Sequence, residues 1–235
     1  MDYKKFLMFG DSITEYAFQP RTLPDSSKAS FCFGGALTSA YVRRLQVLQR
    51  GFSGYNSRWG LKLLPKILDV EDDIVIAYVF FGTNDAARGN HQEVPIDEYK
   101  NNISDIIKML QANGIKVILV GPGLLDSDKW RVTDNIGRCG DRSSEYHKVY
   151  SDALQELSKE FSTGFVNLFD AFLKQGGDNW RDLLSDGLHY SGQGYEIFYN
   201  ELMSVIKQKY PDLAPENLPF KFPLWEEVSI DGSNI

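Results

Sequence analysis

IVIAYVFFGTND, residues 74–85, is an uncharged apolar and aromatic run that ends abruptly in a glycine, a threonine, an asparagine and an aspartate. A continuous apolar run of that length reads as a strand buried on both faces, the kind found inside a parallel sheet. The residues that follow support this. From Ile96 to Gly114, Tyr99, Ile103, Ile106, Ile107 and Leu110 recur at helical spacing, Gly114 is a stop signal, and Lys116 to Val120 is again a short apolar run. The segment is therefore a strand–helix–strand unit. Working outward, Phe6 to Phe9 and Phe165 to Phe169 read as further strands, and Leu45 to Leu48 as a weaker one. Ser143 to Phe161 and Ser191 to Tyr210 carry helical patterns. This alternation predicts an α/β fold, a parallel sheet with helices on both faces.

In such sheets ligands lie beyond the carboxyl ends of the strands. Ser12 follows the first apolar run, Gly54 follows the weak second and Asn84 follows residues 74–81, so the pattern places all three on one rim. Residues 121–141 are a long polar stretch, a candidate wall or lid over that rim. Residues 1–210 are expected to form one domain and residues 211–235 a tail. In the tail, Pro211, Pro215, Pro219 and Pro223 alternate with Phe220, Phe222, Leu224 and Trp225. The prolines argue against a helix there and the aromatics for burial. They would pack either on the chain's own domain or across to a second subunit in a symmetric homodimer.

With 235 residues, 43% of them hydrophobic, the chain is long enough for one well-buried α/β domain. A formal charge of -7 without a basic cluster argues against nucleic acid or anionic membrane as partner and favours a small neutral substrate. Met1 to Lys5 leads into an apolar stretch too short for a signal peptide, and nothing approaches a membrane span, so a cytoplasmic protein is expected. Cys32 and Cys139 have no paired spacing and read as reduced thiols. No metal or cofactor motif occurs, and none is expected.

Chemistry concentrates in four places. FLMFGDS, residues 6–12, breaks at Gly10 and delivers Ser12; at a strand end entering a helix, that serine offers a hydroxyl nucleophile and an outward backbone N–H. Read alone it is more simply a helix N-cap, and only its company makes it a nucleophile. Of three histidines, His147 falls beside the apolar stripe of its helix and reads as a solvated surface residue. His91 follows Asn84 closely but lacks an acid at fixed spacing. His189 has Asp186 three residues earlier across a turn containing Gly187, close enough for the carboxylate to hold one tautomer and turn Nε2 toward Ser12. Gly54 and Asn84 supply a backbone and a side-chain N–H of the type that stabilises an oxyanion, with Ser12 as a third donor. The plainer reading of Gly54 is a turn glycine. Asp11, Thr83 and Asp85 read as loop supports. No G-x-S-x-G occurs, which argues against an α/β-hydrolase nucleophile elbow.

Taken together, Gly10-Asp11-Ser12, Gly54, Gly82-Thr83-Asn84-Asp85 and Asp186-x-x-His189 resemble the four blocks of the SGNH (GDSL) hydrolase superfamily. GDSIT, RGFSGYNSRW and FFGTNDA are similar, more narrowly, to segments of the fungal isoamyl acetate-hydrolysing esterases. The resemblance implies a flavodoxin-like three-layer α/β/α sandwich on a five-stranded parallel sheet. It implies a serine esterase with Ser12, His189 and Asp186 as triad, an oxyanion hole of Ser12, Gly54 and Asn84, and an acyl-serine intermediate. Short-chain acetate esters are the substrates it favours. Carbohydrate deacetylation and thioester hydrolysis are the enzymatic alternatives, and a small-molecule binding module is the non-enzymatic one.

Overall fold

The computed structural model describes residues 3–20, 30–133 and 140–235. In chain order the elements are β1 (Lys5–Gly10), α1 (Ser12–Glu15), α2 (Phe33–Ala40), β2 (Gln46–Gly51), α3 (Ser57–Leu68), β3 (Ile74–Phe80), α4 (Ile96–Ala112), β4 (Lys116–Gly121), α5 (Ser127–Thr133), α6 (Ser144–Glu160), β5 (Gly164–Asn167), α7 (Leu168–Gly176) and α8 (Gly192–Lys209). The five strands are parallel in the order β2-β1-β3-β4-β5.

Because successive side chains of a strand point to opposite faces, the apolar runs feed two separate cores. Phe6, Met8, Tyr78, Phe80, Ile118 and Val120 face α2, α7 and α8, meeting Phe33, Phe172 and Phe198. Leu7, Phe9, Ala77, Val79 and Leu119 face α3, α4 and α6, meeting Leu64, Ile103 and Leu154. This is the three-layer sandwich. The crossover direction reverses between β1 and β3, and the crevice beyond their carboxyl ends is where such a sheet can hold a ligand.

Three elements differ from their sequence patterns for local reasons. At the sheet edge, β2 is mostly half-exposed, which weakens its apolar signal, and it continues past Leu48 to Gly51. A Cβ on Gly51 would lie 2.1 Å from the Glu15 backbone nitrogen, so only glycine lets α1 cross the end of this strand. The run 165–169 divides at Asn167, whose side chain accepts from the Asp170 N–H and caps α7, so Leu168 and Phe169 are helical. Residues 121–141 contain α5, with Asp126 Oδ1 accepting from the Lys129 N–H at 3.2 Å.

The tail forms short 3₁₀ turns at Pro211–Leu213, Pro215–Asn217 and Trp225–Glu227. It touches the link between α2 and β2: Arg43 Nη2 donates to the carbonyls of Phe222 and Pro223 at 2.7 and 2.8 Å, and Arg44 Nε to that of Leu218 at 3.1 Å. Phe220 lies beneath both guanidinium groups, 4.7 and 4.0 Å from its ring centre, a cation–π seat in place of the apolar burial its sequence suggests. Trp225 is 82% exposed.

Candidate active site

The described parts of the rim are built from four segments. Asp11 caps α1 by accepting from the Ile13 N–H at 2.9 Å, which makes Ser12 the first residue of that short helix. Two tyrosine hydroxyls fix the helix to the body: Tyr195 donates to Ile13 O at 2.7 Å and Tyr78 to Thr14 Oγ1 at 3.3 Å. Ser12 is buried, and its backbone N–H, a first-turn donor with no acceptor inside the helix, bonds to no other group among the described residues.

Opposite it, Asp186 and His189 form a compact turn. His189 Nδ1 lies 2.7 Å from Asp186 Oδ2, while the backbone N–H groups of His189 and Leu188 donate to Asp186 Oδ1 at 2.8 and 3.0 Å. Burial alone would raise this carboxyl. The hydrogen bonds from the His189 ring and from the His189 and Leu188 N–H groups, with the ring's interaction when it is charged, outweigh it and hold the group at about 2, so it is a carboxylate at any ordinary pH. A carboxylate accepts only, so Nδ1 carries the proton and Nε2 is left as an acceptor. Ser12 Oγ is 2.9 Å from that Nε2. The turn itself depends on Gly187: its φ is +98°, and a Cβ there would stand 2.6 Å from the Trp130 nitrogen.

The remaining segments converge from the other side. Gly54, with φ of +79°, leaves its N–H without an acceptor among the described residues. Asp85 links the neighbouring elements, its carboxylate accepting from the N–H groups of Ser57 at 2.9 Å and Gly82 at 3.0 Å. It thereby fastens the start of α3 to the end of β3, and burial pushes it up to about 6. Asn84 is 4% exposed; its Nδ2 donates to Tyr55 O at 2.8 Å, and its Oδ1 accepts from Arg142 Nη2 at 3.1 Å and Gln92 Nε2 at 3.3 Å. Gln92 Nε2 also donates to Gly54 O at 2.7 Å. The rings of Tyr16 and Trp130 stand edge-on to His189, 5.2 and 5.9 Å between centres. Of the stretch 121–141, Trp130 in α5 thus stands as a wall of the site, and residues 134–139 lie outside the described residues.

All five expected site residues lie on this rim. Asp11, Thr83 and Asp85 are supports: Asp11 and Asp85 accept from backbone N–H groups, and the Thr83 carbonyl receives Arg142 Nη1. His91 is exposed and its ring lies tilted against that of Trp59. His147 departs from the surface position its pattern suggests. It is buried, with Nδ1 2.9 Å from Gly123 O, and burial pushes it down to about 4. The reason is that α6 presses a wide face on β4 and the loop after it, so Ser151 and Ser158 are buried with it beside the apolar stripe. Sequence reading missed Arg142, Gln92, Tyr16 and Trp130; each has a partner far along the chain, Gly54 in the case of Gln92, and carries no local pattern. Cys139 lies outside the described residues.

The profile of the GDSL-like Lipase/Acylhydrolase family matches residues 8–197, spanning all four of the segments just described. The chain belongs to that family. Among its relatives is the isoamyl acetate-hydrolyzing esterase of Saccharomyces cerevisiae, 46% identical over 100% of this chain and 99% of that protein. The enzyme of the same name from Schizosaccharomyces pombe is 34% identical over 96% of this chain and 84% of its own length. The crystal structure of a lipase/acylhydrolase from Enterococcus faecalis superposes with a TM-score of 0.68, covering 94% of this chain and 100% of that one. At 22% identity it shows the shared fold. As a member of the GDSL-like family the chain is an ester hydrolase. No helix among the described residues is long and apolar enough to cross a membrane.

Proposed function

We propose that the chain hydrolyses small apolar carboxylic esters, short-chain acetate esters such as isoamyl acetate foremost, through an acyl-serine intermediate. Ser12 Oγ attacks the ester carbonyl and passes its proton to His189 Nε2. Asp186 holds the Nδ1–H tautomer and stabilises the imidazolium that forms. The tetrahedral oxyanion is received by the N–H groups of Ser12 and Gly54 and by the second N–H of Asn84 Nδ2. His189 then protonates the departing alcohol, and water repeats the sequence on the acyl-serine. The observation that carries this reading is the 2.9 Å contact between Ser12 Oγ and His189 Nε2, with the far side of the ring tied to a carboxylate that stays charged.

The substrate class rests on the aromatic rings beside His189 and on the names of the yeast relatives. A panel of acetate esters tests it. Isoamyl acetate is expected to show a higher kcat/KM than acetylated oligosaccharides or acyl thioesters, with no loss of rate in EDTA. Preference for a sugar acetate would overturn the class, and metal-restored activity the mechanism.

We further infer that a second copy covers the outer edge of the tail, where Leu224 is 41% and Trp225 82% exposed. Truncation after Tyr210 is expected to halve the mass seen by light scattering and to reduce activity. Unchanged mass and activity would overturn this.

A further inference from the structure

Asn84, in the turn after β3, has most of its amide tied down by groups from elsewhere in the chain. A primary amide has two N–H donors and a carbonyl with two lone pairs. Here both lone pairs are occupied, by Arg142 Nη2 and Gln92 Nε2, and one N–H is spent on Tyr55 O. A single N–H remains. If the amide turned over, its NH₂ would face the guanidinium and its oxygen would face the Tyr55 carbonyl, so both contacts would become repulsive. It would also aim a lone pair where the substrate's oxyanion forms.

Arg142 is itself held with unusual completeness for a surface-type residue. It is 4% exposed, its Nη1 donates to Thr83 O, and its Nη2 also reaches Gln92 Oε1 at 3.1 Å. A buried guanidinium is costly unless its donors are used and its charge is answered. The planar fork meets three acceptors at once, a task a lysine ammonium performs poorly. Its charge is also felt by Asp11 beneath the nucleophile.

We propose that Arg142, assisted by Gln92, is a positioning residue for the reaction: it locks the Asn84 amide with its free N–H toward the oxyanion and polarises that N–H through a charge-assisted bond to Oδ1. The inference rests on the oxyanion role of Asn84 proposed above. Arg142 touches no substrate in this scheme, so its whole contribution passes through Asn84.

A double-mutant cycle on the full chain, read as kcat and KM with isoamyl acetate, tests it. Arg142→Lys is expected to lower kcat about 10-fold and Arg142→Met up to about 100-fold, with KM within about twofold, both bounded by the loss in Asn84→Ala. In the Asn84→Ala background the same changes are expected to cost less than about twofold. Losses that add in full, or that fall on KM, would overturn the positioning role while leaving Asn84 as oxyanion donor. Undiminished kcat in Asn84→Ala would overturn both. If thermal unfolding shows that the Arg142 variants do not fold, Gln92→Met decides. A fall in kcat that mostly disappears in the Asn84→Ala background supports the bracing of the amide; no fall, or one retained in full, overturns it.

Discussion

The two sides of the rim are held in place by different physics. On the base side, Asp186 and His189 stabilise each other within four consecutive residues. One carboxylate collects two backbone N–H groups and a ring N–H, and the side chains remain 24% and 13% exposed. On the oxyanion side, Gly54 and Asn84 depend on Gln92 and Arg142, whose contacts with Asn84 span 8 and 58 residues of sequence, and on Asp85 anchoring α3. The first is a local turn next to solvent; the second is a buried network whose parts have no meaning separately. A proton relay needs one well-aimed ring, which a turn can supply. Donors for a developing charge must not reorient as the charge appears, and a network with every lone pair engaged resists that.

Breaking the base side should cost most. Ser12→Ala and His189→Ala are each expected to remove about 10^6-fold of kcat, as when members of a catalytic unit are lost singly, with thermal unfolding little changed. Retained turnover in either would dissolve the triad. Asp186→Asn, keeping shape but not the tautomer, is expected to lose about 10^4-fold. Because the Asp186 carboxyl sits near 2, loss of rate in wild type on acidification from pH 8 to 5 cannot be its titration. If the residual rate of Asp186→Asn were flat from pH 8 to 5 while that of wild type falls, the titration would belong to Asp186 and this would be refuted. Breaking the oxyanion side is milder: Asn84→Ala is expected to lower kcat about 10^2 to 10^3-fold with KM nearly constant. A rise in KM alone would make Asn84 a ground-state contact and erase the distinction between the two sides.

The same contrast explains what was legible in the sequence. Asp186, His189 and the turn at Gly187 are a short-range motif, and the strands of β1, β3 and β4 are apolar runs that report burial directly. Those features follow from residues adjacent in the chain. Arg142 could not be found this way: it stands in a polar stretch among other charges, and its acceptors come from residues 83, 84 and 92, so only the fold reveals that it is buried. His147 misled for a related reason, because helical periodicity measures one stripe and α6 buries a broader face. The edge strand β2 was dimmed by its exposure to solvent, and Phe220 by finding arginines where the sequence suggested only apolar partners.

The smallest expected effect on turnover, one read in stability instead, concerns Asp11, which lies between the two sides. It is fully buried, and desolvation, followed by the neighbouring Asp85 charge, raises it from its ordinary 3.8 to about 7 despite the Ile13 N–H and the Arg142 charge. Between those two values the folded protein holds a proton that the unfolded chain has released. Stability from this group is therefore complete below pH 3.8 and is lost as pH rises through 7. At about 1.4 kcal/mol per pH unit, a rise from 3.8 to about 7 corresponds to a penalty on the order of 4 kcal/mol at pH 8. Asp11→Asn keeps an oxygen for the Ile13 N–H and cannot ionise. Its Tm is thus expected to exceed that of the wild type by roughly 10 °C at pH 8 and to match it near pH 4. Asp85 and His147 titrate in both proteins and cancel in the difference. A variant less stable than wild type at pH 8 would show that Asp11 is held ionised by Arg142. The buried network would then extend beneath the nucleophile instead of ending at Asn84.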